Sequence, residues 1–200
     1  MQYVLQAILY KLLETLISSV VLIPCFIVLS KKRIYSKIES IMFFVFALYL
    51  SAIYLFVGMP AVTFIHYDLS LTLVPVLPML ADIKNTVYNI ILFLPLGIML
   101  PFLWKRYDHL KDTLVFGCLM SLSIEVLQIL TFRATDINDI IANTFGVVLG
   151  YFIFHGISRV IPSVREFARK KNEVFVIILI VFITMFFVQP YLARLYYTIF

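Results

Sequence analysis

The chain has 200 residues, of which 63% are hydrophobic and only 14% charged, with 19 Phe and a mean hydropathy of +1.04. This composition excludes a soluble globular domain and leaves no room for a nucleotide-binding module, so an integral membrane protein is expected. The net charge of +5 lies in short basic clusters beside hydrophobic runs, the pattern that membrane orientation produces, and no nucleic-acid partner is inferred from it.

About 20 apolar residues cross a bilayer core, and on that measure six segments are expected to span. The first covers about residues 12–29, with Glu14 near its start and Pro24 as a kink, behind an amphipathic turn carrying Lys11. The amino-terminal MQYVLQAILYKLLE lacks a basic region and a small-residue cleavage site, so it is expected to stay on the protein. The second span covers about 38–57. The connection over 58–85 is broken by Pro60, Pro75 and Pro78 yet too apolar for a free loop, which predicts a segment at the membrane interface or a short re-entrant piece. The third span, about 86–103, contains Asn89, Pro95 and Gly97 and ends at Trp104, Lys105 and Arg106, an interface signature. The fourth, fifth and sixth cover about 113–132, 137–160 and 173–191. Cys25 and Cys118 sit inside hydrophobic runs, away from any paired-cysteine motif, so neither a disulfide nor a compartment is inferred from them. The fold class is all-α, a polytopic membrane helix bundle.

The connections after the first, third and fifth spans hold Lys31, Lys32, Arg33, Lys37, Lys105, Arg106, Lys111, Arg159, Arg165, Arg169, Lys170 and Lys171. The other side holds Lys11, Lys84, Arg133 and Arg194. The positive-inside rule then predicts the basic side in the cytoplasm and both termini outside. An odd number of spans would destroy this asymmetry.

Between Ser121 and Asn143 lies SLSIEVLQILTFRATDINDIIAN, which puts Glu125, Gln128, Arg133, Asp136, Asp139 and Asn143 between strongly apolar flanks. A charge at the centre of a membrane helix costs about 2.5–3.5 kcal/mol on insertion scales, so such residues face partners or wet cavities. Gly117, Ser121, Glu125 and Gln128 share one helical face, and Asp136, Asp139 and Asn143 share another. Gly146 and Gly150 continue the second face as a G-x-x-x-G packing surface. Asn85 and Asn89 open the third span at the same level. The expected result is an outward cup lined by Asn89, Glu125, Gln128, Arg133, Asp136, Asp139 and Asn143. Its three carboxylates outnumber its one guanidinium, so a proton on Glu125 or a second cation, from a ligand, a metal or Lys84, would balance it.

Each of these residues also has a structural reading. Asp136 suits a helix N-cap, with Thr135 and Asn138 beside it. Arg133 suits an interfacial anchor, and Asn89, Gln128 and Asn143 suit interhelical hydrogen bonds. Glu125 and Asp139 lie a turn or so inside spans and carry the functional reading most strongly. His66 and Asp68 are as readily solvated as functional, His109 and His155 fall on the cytoplasmic side, and Pro95 and Gly97 shape the third span.

The stretch NIILFLPLGIMLPFLW from Asn89 to Trp104, then SIEVLQIL, then Arg133, then DINDIIANTFGVVLGY from Asp136 to Tyr151, resembles the VanZ-like family of bacterial membrane proteins. LTLVPV around Pro75 is similar to that family's proline-containing stretch ahead of the asparagine. The ordered series of Asn89, Pro95, Gly97, Glu125, Gln128, Arg133, Asp136, Asp139, Asn143 and Gly146 carries the likeness, which covers roughly 40–155. It divides the chain into an N-terminal helix and basic loop (1–39), a VanZ-like membrane domain (40–160) and a basic loop with a final helix (161–200). The family takes its name from an accessory gene of glycopeptide-resistance clusters, and its namesake is associated with low-level teicoplanin resistance. The resemblance therefore implies a multi-pass protein of the bacterial plasma membrane acting near the envelope, and it supplies no reaction.

Three functional readings stand open. The first is a non-enzymatic protein whose cup binds a lipid-linked cell-wall precursor, a lipid-carrier headgroup or a lipoglycopeptide. There Arg133 would pair with phosphate or carboxylate, and Asn89, Gln128 and Asn143 would bond sugar or amide groups. The second is an intramembrane enzyme with Glu125 or Asp139 as general base and Arg133 stabilising negative charge. The third is a lipid or small-molecule transporter. No catalytic residue is assigned, and no cofactor or metal is expected. Glu125, Asp136 and Asp139 could serve as oxygen ligands, but no His-rich zinc motif accompanies them. Membrane lipid, a second copy of the chain and another membrane protein are the remaining partner expectations.

Overall fold

A computed structural model describes residues 2–31, 35–67, 70–72, 74, 79, 81–131, 135–169 and 173–199. Asp68, Pro75, Pro78 and Arg133 lie outside the described residues. The protein is all-α: α1 (Gln2–Lys31), α2 (Lys37–Phe56), α3 (Ile83–Leu103), α4 (Leu110–Gln128), α5 (Ile137–Val160) and α6 (Val174–Ile199). Among the described residues, α1, α2, α3, α5 and α6 are each long and apolar enough to cross a membrane, which makes this a membrane protein. The remaining long helix, α4, carries Lys111, Asp112 and Glu125 within its 19 residues and is less apolar for that reason. Two compact units result, one of residues 1–65 and 173–200, the other of residues 66–172.

In the first unit, Ser36 caps α2 by accepting from the Glu39 N–H at 3.2 Å, while the Glu39 carboxylate accepts from the Ser36 N–H at 2.8 Å. This reciprocal pair satisfies two orphan donors and fixes where the helix starts. Gly58, at φ 70°, ends it: the Met59 N–H reaches back to the Tyr54 carbonyl at 3.1 Å, a closure that requires a left-handed residue. The Tyr54 hydroxyl then donates to the Pro60 carbonyl. α1 is one continuous helix from Gln2, where a separate amphipathic turn is expected. Its early polar residues have partners that let it continue. Lys11 donates to the Phe56 carbonyl at the end of α2 at 3.2 Å, and Glu14 is hydrogen-bonded to Gln189 and Tyr197 of α6. The same two bonds explain why α6 runs on to Ile199, past the expected end near residue 191. A π-helical turn at Thr184–Val188 interrupts α6, and the Phe186 carbonyl in it accepts from the Val62 N–H at 3.0 Å.

The second unit is built on α3 and α5, whose backbones touch. A Cβ at Gly97 would overlap the Val147 carbonyl, one at Gly146 the Ile90 carbonyl, and one at Gly150 the Leu94 carbonyl. Without a hydrophobic drive between helices in lipid, close backbone approach through small residues is what binds them. α4 packs on the same place, Gly117 leaving 2.9 Å between a would-be Cβ and a Val147 methyl. Val147 is fully buried. α3 holds its course through Pro95 and Pro101.

α4 ends at Gln128, earlier than the expected 132, in a turn where the Leu130 and Thr131 N–H groups donate to Leu127 and Gln128. The described parts of the 58–85 connection are tied to that turn and to the start of α5. His66 N–H donates to the Leu130 carbonyl at 3.0 Å, and β1 (Leu71–Thr72) pairs in parallel with β2 (Thr135–Asp136). At the far end of the unit, Trp104 is completely buried and meets the Tyr107 ring edge-on. Backbone bonds on both sides hold it there, from the Lys105 N–H to the Arg169 carbonyl at 2.8 Å and from the Arg169 N–H to the Leu103 carbonyl at 2.9 Å.

Candidate ligand-binding site

Polar residues of the second unit form three groups toward the end where α3 and α5 begin. In the first, Asn89 Nδ2 donates to Asp139 Oδ1 at 2.6 Å and Asn85 Nδ2 donates to the same oxygen at 3.4 Å. Asp82 caps α3 by accepting from the Asn85 N–H at 3.1 Å, so the asparagines occupy the first turns of a fixed helix, one turn apart. Asp139 sits in the first turn of α5, where the helix dipole favours a negative charge. All three side chains are half-buried, which leaves the carboxylate neither sealed in the bundle nor fully exposed.

The second group closes the turn ahead of α5. Glu125 is 1% exposed, and its Oε2 accepts from the Asp136 N–H at 2.8 Å. The Thr135 hydroxyl donates to the Glu125 carbonyl at 3.1 Å. Asp136 caps α5, accepting from the Asn138 N–H at 2.8 Å and from Asn138 Nδ2 at 2.7 Å, while the same amide donates to the Val74 carbonyl at 2.9 Å. Glu125 therefore acts on the backbone, and Asn138 joins the 58–85 connection to the helix start.

The third group lies deeper, between α4 and α5. Asn143 is buried, and its Nδ2 donates to Ser121 Oγ at 2.9 Å. Its Oδ1 is a buried acceptor with no partner among the described residues. Gln128 is buried too, and its backbone carbonyl accepts from the Thr131 hydroxyl at 2.8 Å. Asp136, Asp139 and Asn143 share a face by spacing, yet Asp139 reaches α3 and Asn143 reaches α4. The face of α5 straddles two neighbours. Glu125 and Asn143 are sealed inside the unit, whereas Asn85, Asn89 and Asp139 keep access to its surface.

An apolar groove of about 520 Å³ is lined by Met79, Ile83, Thr86, Ile90, Ile141, Ala142 and Phe145. Thr86 and Ile90 flank Asn89 along α3, and Ala142 follows Asp139 by one turn of α5. Asn85, Asn89 and Asp139 are not among the lining residues but stand next to them along α3 and α5, so the apolar groove and the polar helix starts would suit the chain and the head of one ligand. Among the described residues, no three His, Cys, Asp or Glu side chains come together in a set that could hold a metal ion.

Sequence reasoning gives little weight to Asn85, Thr135 and Asn138. The helix spacing of Asn85 from Asn89 is the signal for the first, and the turn chemistry of the T-D-x-N run is the signal for the others. A further polar cluster, Asp108 with His155 and Arg165, lies at the opposite end of the unit, and its members are too far apart in sequence for spacing to join them.

The family model described as VanZ/LLP1 matches residues 16–160 of the chain. Protein VanZ from Enterococcus faecium is 33% identical over 92 residues, which is 46% of this chain and 56% of that protein. The chain thus covers little more than half the length of that relative. No solved structure matches the chain.

Proposed function

The chain belongs to the VanZ/LLP1 family, and on that premise we propose that it is a multi-pass protein of a bacterial plasma membrane that binds an amphipathic or lipid-linked envelope ligand without transforming it. What supports this reading is the half-buried Asp139, bonded to Asn85 and Asn89, on the same two helices whose residues Thr86, Ile90, Ile141 and Ala142 line the 520 Å³ apolar groove. In this reading α4 also spans, as the fourth of six, both termini lie outside, and the Asp139 end faces outward, as the distribution of Lys and Arg requires. The groove takes an acyl chain, and the amides and carboxylate take hydroxyl or amide groups of the head. Arg133, close to this end in sequence, supplies a guanidinium for a phosphate or carboxylate. A cell-wall precursor on a lipid carrier has this chemistry, and so does teicoplanin, which carries an acyl chain that vancomycin lacks.

The test is antibiotic susceptibility of a sensitive Gram-positive host expressing wild type, Asn89→Ala or Asp139→Asn at equal membrane levels. Wild type is expected to lower teicoplanin susceptibility and leave vancomycin unchanged, and both variants to lose the effect. Equal protection against the two drugs, or full protection by the variants, would overturn the reading.

A further inference from the structure

The opposite end of the second unit carries a second pocket, about 230 Å³ in volume, lined by Pro101, Lys105, Asp108, Arg165 and Ala168. Three observations define its chemistry. Arg165 is held in place, because its Nη1 donates to both carboxylate oxygens of Asp108 at 3.0 Å, and His155 Nε2 lies 3.2 Å from the same carboxylate. Asp108 is fixed in turn by the Tyr151 hydroxyl, which donates to its carbonyl at 2.9 Å. A guanidinium has five N–H donors, and Asp108 occupies only those of Nη1, so Nη2 and Nε remain for an anion.

The Lys105 ammonium has no partner among the described residues, although its backbone is anchored by the bond to Arg169. The pocket therefore holds two cationic side chains against one carboxylate that is already engaged. Exposed apolar groups neighbour the pocket along the chain: Phe167, in the 3₁₀ turn Pro162–Phe167, is 48% exposed and packs against Phe102, and Val160 and Ile161 at the end of α5 are exposed, with the exposed Arg159 and Glu166 between and beside them. Cationic donors at the end of apolar helices, with exposed aromatic and aliphatic groups close by in the chain, match the level at which a phospholipid places its phosphate.

We propose that this pocket is a binding site for the phosphate of an anionic phospholipid, with Lys105 and Arg165 on the phosphate oxygens and Phe167 against the upper acyl chain. The site is separate from the Asp139 groove and does not depend on what that groove binds. Free phosphate offers the same oxygens but nothing for the apolar neighbours.

Native mass spectrometry of the full chain in detergent, with phosphatidylglycerol, phosphatidylcholine or inorganic phosphate added, separates the sources. Phosphatidylglycerol is expected to stay bound in preference to phosphatidylcholine, and excess inorganic phosphate is expected not to displace it. A basic side chain beside an anionic lipid surface contributes about 1 kcal/mol, so Lys105→Gln should weaken phosphatidylglycerol binding by about fivefold. Arg106→Gln removes a charge one residue away that is paired with Asp112 at 3.9 Å and does not line the pocket, and it should change little. Equal retention of the two lipids, displacement by inorganic phosphate, or equal losses in Lys105→Gln and Arg106→Gln would overturn the proposal.

Discussion

The pair α3 and α5 and the pair α1 and α2 are both made of apolar helices, yet they are held together by different means. Between α3 and α5 the contact is backbone on backbone, at Gly97, Gly146 and Gly150. Between α1 and α2 the contact is made by bulk: Leu22, Phe26, Phe43, Phe46 and Leu50 are buried, and a groove of about 340 Å³ remains between the helices, lined by Ile23, Phe26, Ile27, Ser30, Lys37, Ser40, Ile41 and Phe44. Backbone contact leaves no slack, so the first turns of α3 and α5 are fixed relative to each other and Asn89 can meet Asp139 at 2.6 Å. Side-chain contact can repack. The tight pair is where polar groups are positioned, and the looser pair supplies span and packing.

The largest effect should come from forcing the tight pair apart. Gly97→Leu places a Cβ on the Val147 carbonyl, where only the backbone could give way, and overpacking of a core costs about 1–3 kcal/mol or more. The variant is expected to melt well below wild type in detergent or fail to accumulate. Gly156→Leu, also in α5, meets nothing within 4 Å and should melt with wild type. Equal behaviour of the two would mean that the glycine contact does not hold the unit.

A smaller effect is expected at the turn that joins the tight pair to α4. Glu125→Ala strands the Asp136 N–H, and an unsatisfied buried donor costs about 1–3 kcal/mol. Glu125→Gln keeps an acceptor at that place and should recover much of the loss, read by thermal unfolding and by proteolysis near Asp136. The smallest effect belongs to the loose pair. Ile27 lines the groove and is about half exposed, so Ile27→Ala should shift stability by no more than about 0.5 kcal/mol. A loss comparable to that of Gly97→Leu would erase the distinction between the pairs.

Helix positions were legible because apolar runs and caps are local. α5 occupies the expected 137–160, and α2 covers Lys37–Phe56 where about 38–57 is expected. Boundaries fail where a distant partner decides them, as when Lys11 and Glu14 find partners in α2 and α6 and keep the ends of α1 and α6 helical. The two-residue pairing of β1 with β2 has no periodic signal at all. In the candidate site, spacing assigns residues to a face, but the neighbour that the face meets is a tertiary fact. Thus Asp139 and Asn143, one turn apart, bond to Asn89 in α3 and Ser121 in α4. His155 and Arg165 read only as cytoplasmic-side residues in the sequence and Asp108 carries no signal there, because chain folding alone brings the three together.

The most direct test of the account is equilibrium binding of fluorescent teicoplanin to the purified full chain, with fluorescent vancomycin as the control, for wild type and for Asp139→Asn of matched thermal stability. Hydrogen bonds to a charged group contribute about 1.5–3 kcal/mol, so Asp139→Asn should weaken teicoplanin binding by about tenfold or more, and vancomycin should not bind either protein. Teicoplanin binding unchanged in Asp139→Asn, or vancomycin binding as tight as teicoplanin, would contradict a site built from a chain-holding groove and a carboxylate-bonded head.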